Sequence, residues 1–198
     1  NGFCVIAGEL KTTAYAPMQE IARRVIQEIG YTDATYGFDY RAAAVLNGIG
    51  EQSPDINQGV DQGSGDIGAG DQGMMFGYAC SETDVLMPLP IHLAHRLTQR
   101  LALVRKEGIV PYLRPDGKAQ ISVKYIGDEP VSVQTIVIST QHSPDVSQEQ
   151  IRLDMIAEVI KEVIPADMMS DDTIIHINPT GKFVIGGPQG DAGLTDRK

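Results

Sequence analysis

The chain has 198 residues, a formal net charge of −10 and a pI near 4.7. That balance excludes a nucleic-acid surface, which depends on clustered Lys and Arg, so any anionic ligand must be held locally, with metal as its counter-charge. A 42% hydrophobic share with 6% aromatic residues and no Trp suits the core of one large domain or two small ones, and no apolar run approaches the roughly 20 residues of a membrane span. Cys4 and Cys80 sit in apolar runs without metal-ligand spacing and read as reduced core thiols, the usage of a cytosolic protein. The chain opens inside an apolar run without an initiator Met and stops just after a basic pair, so both ends read as cut.

In chain order, Phe3 to Leu10 reads as a strand with Glu9 as the charged residue at its end. Pro17 opens a helix where its missing N–H costs nothing. Ile21, Val25 and Ile29 repeat on one face of that helix, and Gly30 stops it. Ala42 to Ile49 is a second short apolar run, better as a buried strand. From Gln52 to Gly73 the chain holds six glycines and almost no apolar content, which predicts a mobile loop, functional as a lid or serving as a linker. Two overlapping G-x-G-x-x-G matches occur there, at Gly63 to Gly68 and Gly68 to Gly73. A dinucleotide fingerprint needs a strand just before and a helix just after. Here polar loop precedes and Met74 to Ala79 follows, reading as a strand, so the match is rejected.

The remainder predicts a helix at Pro90 to Lys106, strands at Ile121 to Tyr125 and Val131 to Ser139, a helix at Ser147 to Ile164 and a strand at Ile174 to Ile177. Ala94, Leu97, Leu101 and Val104 form one helical stripe; Ile156, Val159, Ile160 and Val163 form the other. This is an α+β pattern of repeated split β-α-β-β-α-β units, with antiparallel or mixed sheets and helices packed on one face. The expected division is 1–60, ending in the mobile loop, then 61–183 as a central domain, then 184–198 as the start of another.

Three places carry chemistry. In Pro111 to Lys118, Asp116 and Lys118 stand two apart and would face the same way in extended chain, gripping one ligand; the same Pro-Asp-Gly is also an ordinary exposed turn. His142, in Ser-Thr-Gln-His-Ser, and His92 and His95 invite catalytic roles, yet no Cys or Asp stands at nucleophile-activating spacing, and His92 and His95 read as structural or surface groups. Gly186 to Lys198 has four glycines in thirteen positions around Asp191, followed by Arg197 and Lys198. Uncovered backbone N–H groups with a guanidinium and an ammonium beside them suit a polyphosphate and its metal.

Stretches along the whole chain resemble the S-adenosylmethionine synthetase family: Ala7 to Leu10 (AGEL), Gly50 to Val60 (GEQSPDINQGV), Gly68 to Gly73 (GAGDQG), Glu82 to Ile91 (ETDVLMPLPI), Leu113 to Gln120 (LRPDGKAQ), Ser139 to Ser143 (STQHS) and Asn178 to Lys198. They occur in the family's order, without its early His-Pro-Asp-Lys motif or its later lysines and acidic metal ligand. The resemblance implies transfer of the adenosyl group of ATP to the methionine sulfur, then hydrolysis of the triphosphate, with Mg²⁺ and K⁺ as cofactors and a homodimer or homotetramer with the site at the subunit interface. It implies Glu9, Gln52 and Asp191 for methionine, and Asp116, Lys118, Lys182, Phe183, Asp191, Arg197 and Lys198 for ATP. Lys118, Asp71 and Arg197 would act in catalysis, and Gln52, Asp55, Asn57, Gly59 and Asp61 would belong to a mobile loop over the site. No metal ligand is expected within the segment. Lys182 stands where the family more often has Arg. Asp196 replaces a Gly beside the basic pair, where a carboxylate near phosphate costs on the order of 1–4 kcal/mol. A non-catalytic nucleotide-binding or assembly role for the segment is the alternative.

Overall fold

The computed structural model describes residues 2–63, 65–71, 73–191 and 193. It divides into two units, one built from residues up to Ala34 with Phe38–Gly77, the other from Thr35–Gly37 with Tyr78 onward. Both are α+β, and the second carries a mixed sheet. No helix is long and apolar enough to cross a membrane among the described residues.

The first unit is a strand-helix-strand. Strand β1 (Phe3–Leu10) pairs in parallel with β2 (Ala44–Glu51), in register Phe3↔Ala44 through Leu10↔Glu51. Helix α1 (Met18–Ile29) connects them; Pro17 precedes its first turn and Gly30 closes it at φ 114°, donating its N–H to Gln27 and Ile26 carbonyls. A β-branched residue could not take that left-handed conformation without strain. Arg41 clamps the approach to β2: its guanidinium and backbone N–H donate to the Asp39 carboxylate at 2.7–3.2 Å. Arg23 of α1 donates to the carbonyls of Tyr40 and Arg41.

The stretch expected to be loop throughout begins with a helix, α2 (Pro54–Val60). Ser53, Pro54 and Asp55 are the start signal that outweighs the polar composition: proline sits in the first turn and an acid faces the helix dipole. No residue of α2 is buried, which is why hydrophobic periodicity could not reveal it. The glycines that follow are preceded by this helix and followed by no helix, so the dinucleotide fingerprint is absent in the structure too.

In the second unit, α3 (Leu89–Lys106) lays Leu89, Leu93, Leu97, Leu101 and Val104 into the core. Strands β3 (Leu113–Ile126) and β4 (Glu129–His142) form a long antiparallel hairpin, and β5 (Ile174–Ile177) adds to β4 in parallel. Only two residues join β3 to β4, with Gly127 at φ 61° taking the position where a tight hairpin needs positive φ. The crossover from β4 to β5 runs through α4 (Gln148–Asp154), started by Ser147 accepting the Gln150 N–H, and continues in a π-helical turn at Met155–Ile160. The wider turn rotates the buried stripe to Ile151, Met155, Val159, Ile160 and Ile164. Each such Leu or Ile contributes about 1.5–3 kcal/mol by leaving water.

Two expectations need correction. Both hairpin strands are much longer than read, because pairing across the hairpin extends them into polar sequence that composition does not show; Leu113 to Lys118 is the start of β3, and Pro111 and Tyr112 form the turn that precedes it. Met74 to Ala79 is not a strand. A strand exists by pairing, and this apolar run has no ladder partner among the described residues; Met74, Met75, Phe76 and Tyr78 stand 76–92% exposed.

Candidate functional site

In the first unit, parallel pairing brings both strands out at the same edge. Glu9 lies opposite Gly50, and Gln52 leaves β2 one residue beyond the pair Leu10↔Glu51. The chain after each strand, with α2, closes a cleft of about 730 Å³. Its lining includes Glu9, Lys11, Gln52, Asn57, Asp61 and Asp66. Lys11 Nζ donates to Asp61 Oδ2 at 3.1 Å, bridging the exit of β1 to the end of α2. The Asp61 carboxyl is held below its ordinary range, first by that hydrogen bond and then by the Gly63 N–H. Four residues singled out in the sequence, Glu9, Gln52, Asn57 and Asp61, therefore share one wall. Asp55 and Gly59 belong to α2 without lining the cleft, and Asp71 lies beyond it in the same unit.

In the second unit the segment Lys182–Gly187 crosses the Leu113/His142 end of the hairpin without joining the sheet, and side chains hold it there. Asp116 Oδ2 accepts from the Gly187 N–H at 2.8 Å. Val184 O accepts from Arg114 Nη1 at 3.1 Å and from Gln141 Nε2 at 3.0 Å. Gly186 presses so close that a Cβ would stand 2.7 Å from the Phe183 ring and 3.0 Å from both the Asp116 carboxylate and the Gln141 amide. Only glycine fits that contact.

Lys118 is exposed, with its ammonium 6.0 Å from the Phe183 ring centroid. Between it and Asp116, Gly117 faces α3; a Cβ there would meet Leu101 Cδ2 at 2.6 Å. The strand thus alternates a helix-facing glycine with polar groups on its other face. Lys182 is exposed, Phe183 half-buried, and Asp191 exposed just past a short 3₁₀ turn, where its N–H donates to Gly187 O. Arg197, Lys198 and Asp196 lie outside the described residues.

Sequence reasoning missed Lys11, Arg114 and Gln141, and left His142 without a role. Their only signal was a polar residue at the end of an apolar strand. Among the described residues no group of three or more His, Cys, Asp or Glu side chains could hold a metal ion. Mg²⁺ is commonly held by one or two carboxylates together with substrate phosphates and water, and no chemical step is derived through Mg²⁺ or K⁺.

A carboxylate-lined cleft in one unit and, in the other, a glycine segment held beside a lysine and an aromatic ring are the candidate sites of this α+β protein. Residues 1–54 match the S-adenosylmethionine synthetase N-terminal domain and residues 66–183 its central domain; the chain belongs to that family. It is 81% identical over 198 residues to the S-adenosylmethionine synthase of Sulfurimonas denitrificans, covering 100% of this chain and 50% of that protein. The like-named proteins of Nitratiruptor sp. and Helicobacter pylori strain Shi470 are 70% and 68% identical over the same 198 residues, 51% of each. The chain spans about half the length of the curated relatives it matches.

Proposed function

We propose that the chain contributes binding and catalytic groups for S-adenosylmethionine synthesis from ATP and L-methionine. The observation that carries this reading is the shared cleft of Glu9, Gln52, Asn57 and Asp61 in a chain of this family. Glu9 would accept hydrogen bonds from the methionine ammonium, and Gln52 and Asp191 would complete that substrate's contacts. In the other unit Asp116, Lys182 and Phe183 would meet ATP, with Arg197 and Lys198 on its phosphates. The methionine sulfur uses its own lone pair to attack the ribose C5′; the C5′–O bond breaks and its electron pair leaves with the triphosphate. A thioether needs no base, so the chain's contribution is alignment and stabilisation of the departing charge. Lys118 would supply that stabilisation, and Asp71 and Arg197 would assist. Water then splits the triphosphate into phosphate and diphosphate.

The division into 1–60, 61–183 and 184–198, movement of Gln52 to Gln62 over the occupied cleft, a homo-oligomer with its sites between subunits, and a reducing cytoplasmic setting for Cys4 and Cys80 belong to the same proposal.

The test is a chimera in which this chain replaces the matching half of the Sulfurimonas denitrificans synthase. Lys118→Met should lower kcat by roughly 10² or more and move KM for ATP by less than about threefold, because the cation acts mainly on the transition state. A kcat within about threefold of the parent would remove Lys118 from catalysis.

A further inference from the structure

Residues 182–186 have no regular secondary structure, yet they carry Phe183 to the proposed ATP site and lead into Gly187, whose N–H donates to Asp116. Their placement must come from elsewhere, and beside Arg114 and Asp116 of β3 the last two residues of β4 supply it. His142 is 3% exposed and Gln141 fully buried. His142 Nδ1 lies 2.7 Å from Ser143 O, a group that only accepts, so Nδ1 carries the proton. Nε2 is then free to accept, and it takes the Phe183 N–H at 3.1 Å. The His142 backbone N–H donates to Phe183 O at 3.0 Å, so one residue satisfies both polar groups of Phe183. Gln141 does the same between segments: its Nε2 donates to Val184 O, and its Oε1 receives the Asp116 N–H at 3.4 Å.

We propose that His142 and Gln141 are positioning residues for the nucleotide, with the neutral His142 ring, protonated on Nδ1, fixing Phe183 beside Lys118 while the Gln141 amide fixes Val184 beside Asp116. The inference rests on the reading of Asp116, Lys118 and Phe183 as ATP contacts. Neither residue touches the reacting atoms. Their effect passes through the backbone of residues 183 and 184, and so bears first on ATP; of the proposed methionine contacts, Glu9 and Gln52 line the cleft of the other unit, and Asp191 lies beyond the two braced residues.

Two variants separate this from a general structural role. An Asn amide occupies the place of Nδ1 and keeps the Ser143 contact; a Gln amide oxygen reaches the place of Nε2 and keeps the acceptor for Phe183. In the chimera, His142→Asn should raise KM for ATP at least about fivefold, the effect of one unmet buried donor, with KM for methionine within about twofold of the parent. His142→Gln should restore the ATP value to within about twofold. Amide exchange in the 198-residue chain supplies an activity-independent readout: the Phe183 N–H should exchange at least about tenfold faster in His142→Asn and return toward the parent rate in His142→Gln. The opposite ranking, with Asn behaving as the parent and Gln as the defective variant, would overturn the assignment. So would unchanged Phe183 exchange in both. The expected Phe183 exchange, faster in His142→Asn and restored in His142→Gln, together with Lys118→Met at full activity, would instead strike the ATP reading and leave the brace standing.

Discussion

Asp39 shows how a single exposed cation decides the state of a covered acid. Its carboxylate is 5% exposed, and the Arg41 side-chain hydrogen bonds, followed by the Arg41 N–H, hold its pKa at about 2 against an ordinary 3.8. A depressed acid contributes stability that is complete above its unfolded value and disappears as pH falls through the folded one. The first unit should therefore lose stability between about pH 4 and pH 2. Arg41→Gln should flatten that part of the profile; urea midpoints for both proteins across that range, running parallel, would refute the assignment. Thr140 illustrates the opposite case, a polar atom with nothing to pair. Its Oγ1 is buried without a hydrogen-bond partner among the described residues, and Thr140→Val keeps the shape while removing the stranded hydroxyl. Stability should rise by about 1–2 kcal/mol, since an unmet buried hydroxyl costs about 1–3 kcal/mol; a denaturation midpoint that falls would show that the hydroxyl is satisfied in solution. At this scale sequence was a partial guide. Glu9 and Gln52, which line the first unit's cleft, were singled out by motif, whereas Arg114, Gln141 and His142 act on backbone atoms about 40 to 70 residues away, a relation that spacing cannot encode.

Among the elements, β5 is four residues long and survives because Asn178 extends it. At φ 44°, the left-handed conformation Asn tolerates, its amide oxygen accepts the Thr140 N–H at 2.8 Å and its amide nitrogen donates to Thr140 O at 3.1 Å. The side chain imitates one more strand residue after the backbone has turned away. Asn178→Ala would strand both Thr140 groups in the core and put a Cβ residue without a compensating bond at positive φ, at a cost of about 2–4 kcal/mol. Chemical denaturation of the purified chain checks this; a loss under 1 kcal/mol would mean that water replaces the amide. Glu82 plays a comparable part for α3, accepting the Leu89 N–H at 2.9 Å and the Tyr125 hydroxyl at 2.6 Å. The Tyr125 contact, chiefly, keeps its carboxyl below the usual range. Strand β1, helix α1 and strand β5 were readable because apolar run, proline and glycine coincide with their ends. Helix α2 was hidden by its polarity, and Met74 to Ala79 misled by its apolarity, since pairing is a property of two segments and composition of one.

At the scale of the whole molecule, the exposed side chains are as informative as the core. Phe3, Val5 and Leu46 on the first sheet are 52–66% exposed, and the run from Met74 to Tyr78 adds a second apolar stretch. A chain carrying such surface tends to self-associate despite its net charge of −10. Alone, it should make no detectable S-adenosylmethionine from ATP, methionine, Mg²⁺ and K⁺, because groups that act as a unit fail together. Size-exclusion chromatography beside a mass-spectrometric product assay decides both points. Steady turnover by a monomer would contradict them.

The parallel pairing of β1 with β2 has a consequence for change over time. The Asp39–Arg41 clamp stands where the chain feeds into β2, while Glu9 and Gln52 stand where the two strands end. Eight residues of ladder separate a place where replacements alter how firmly the unit holds from a place where, on the proposed reading of the cleft, they would alter what it holds. On that reading, change at the feeding end would register as stability, and a lineage could retune its ligand at the other end without renegotiating its fold.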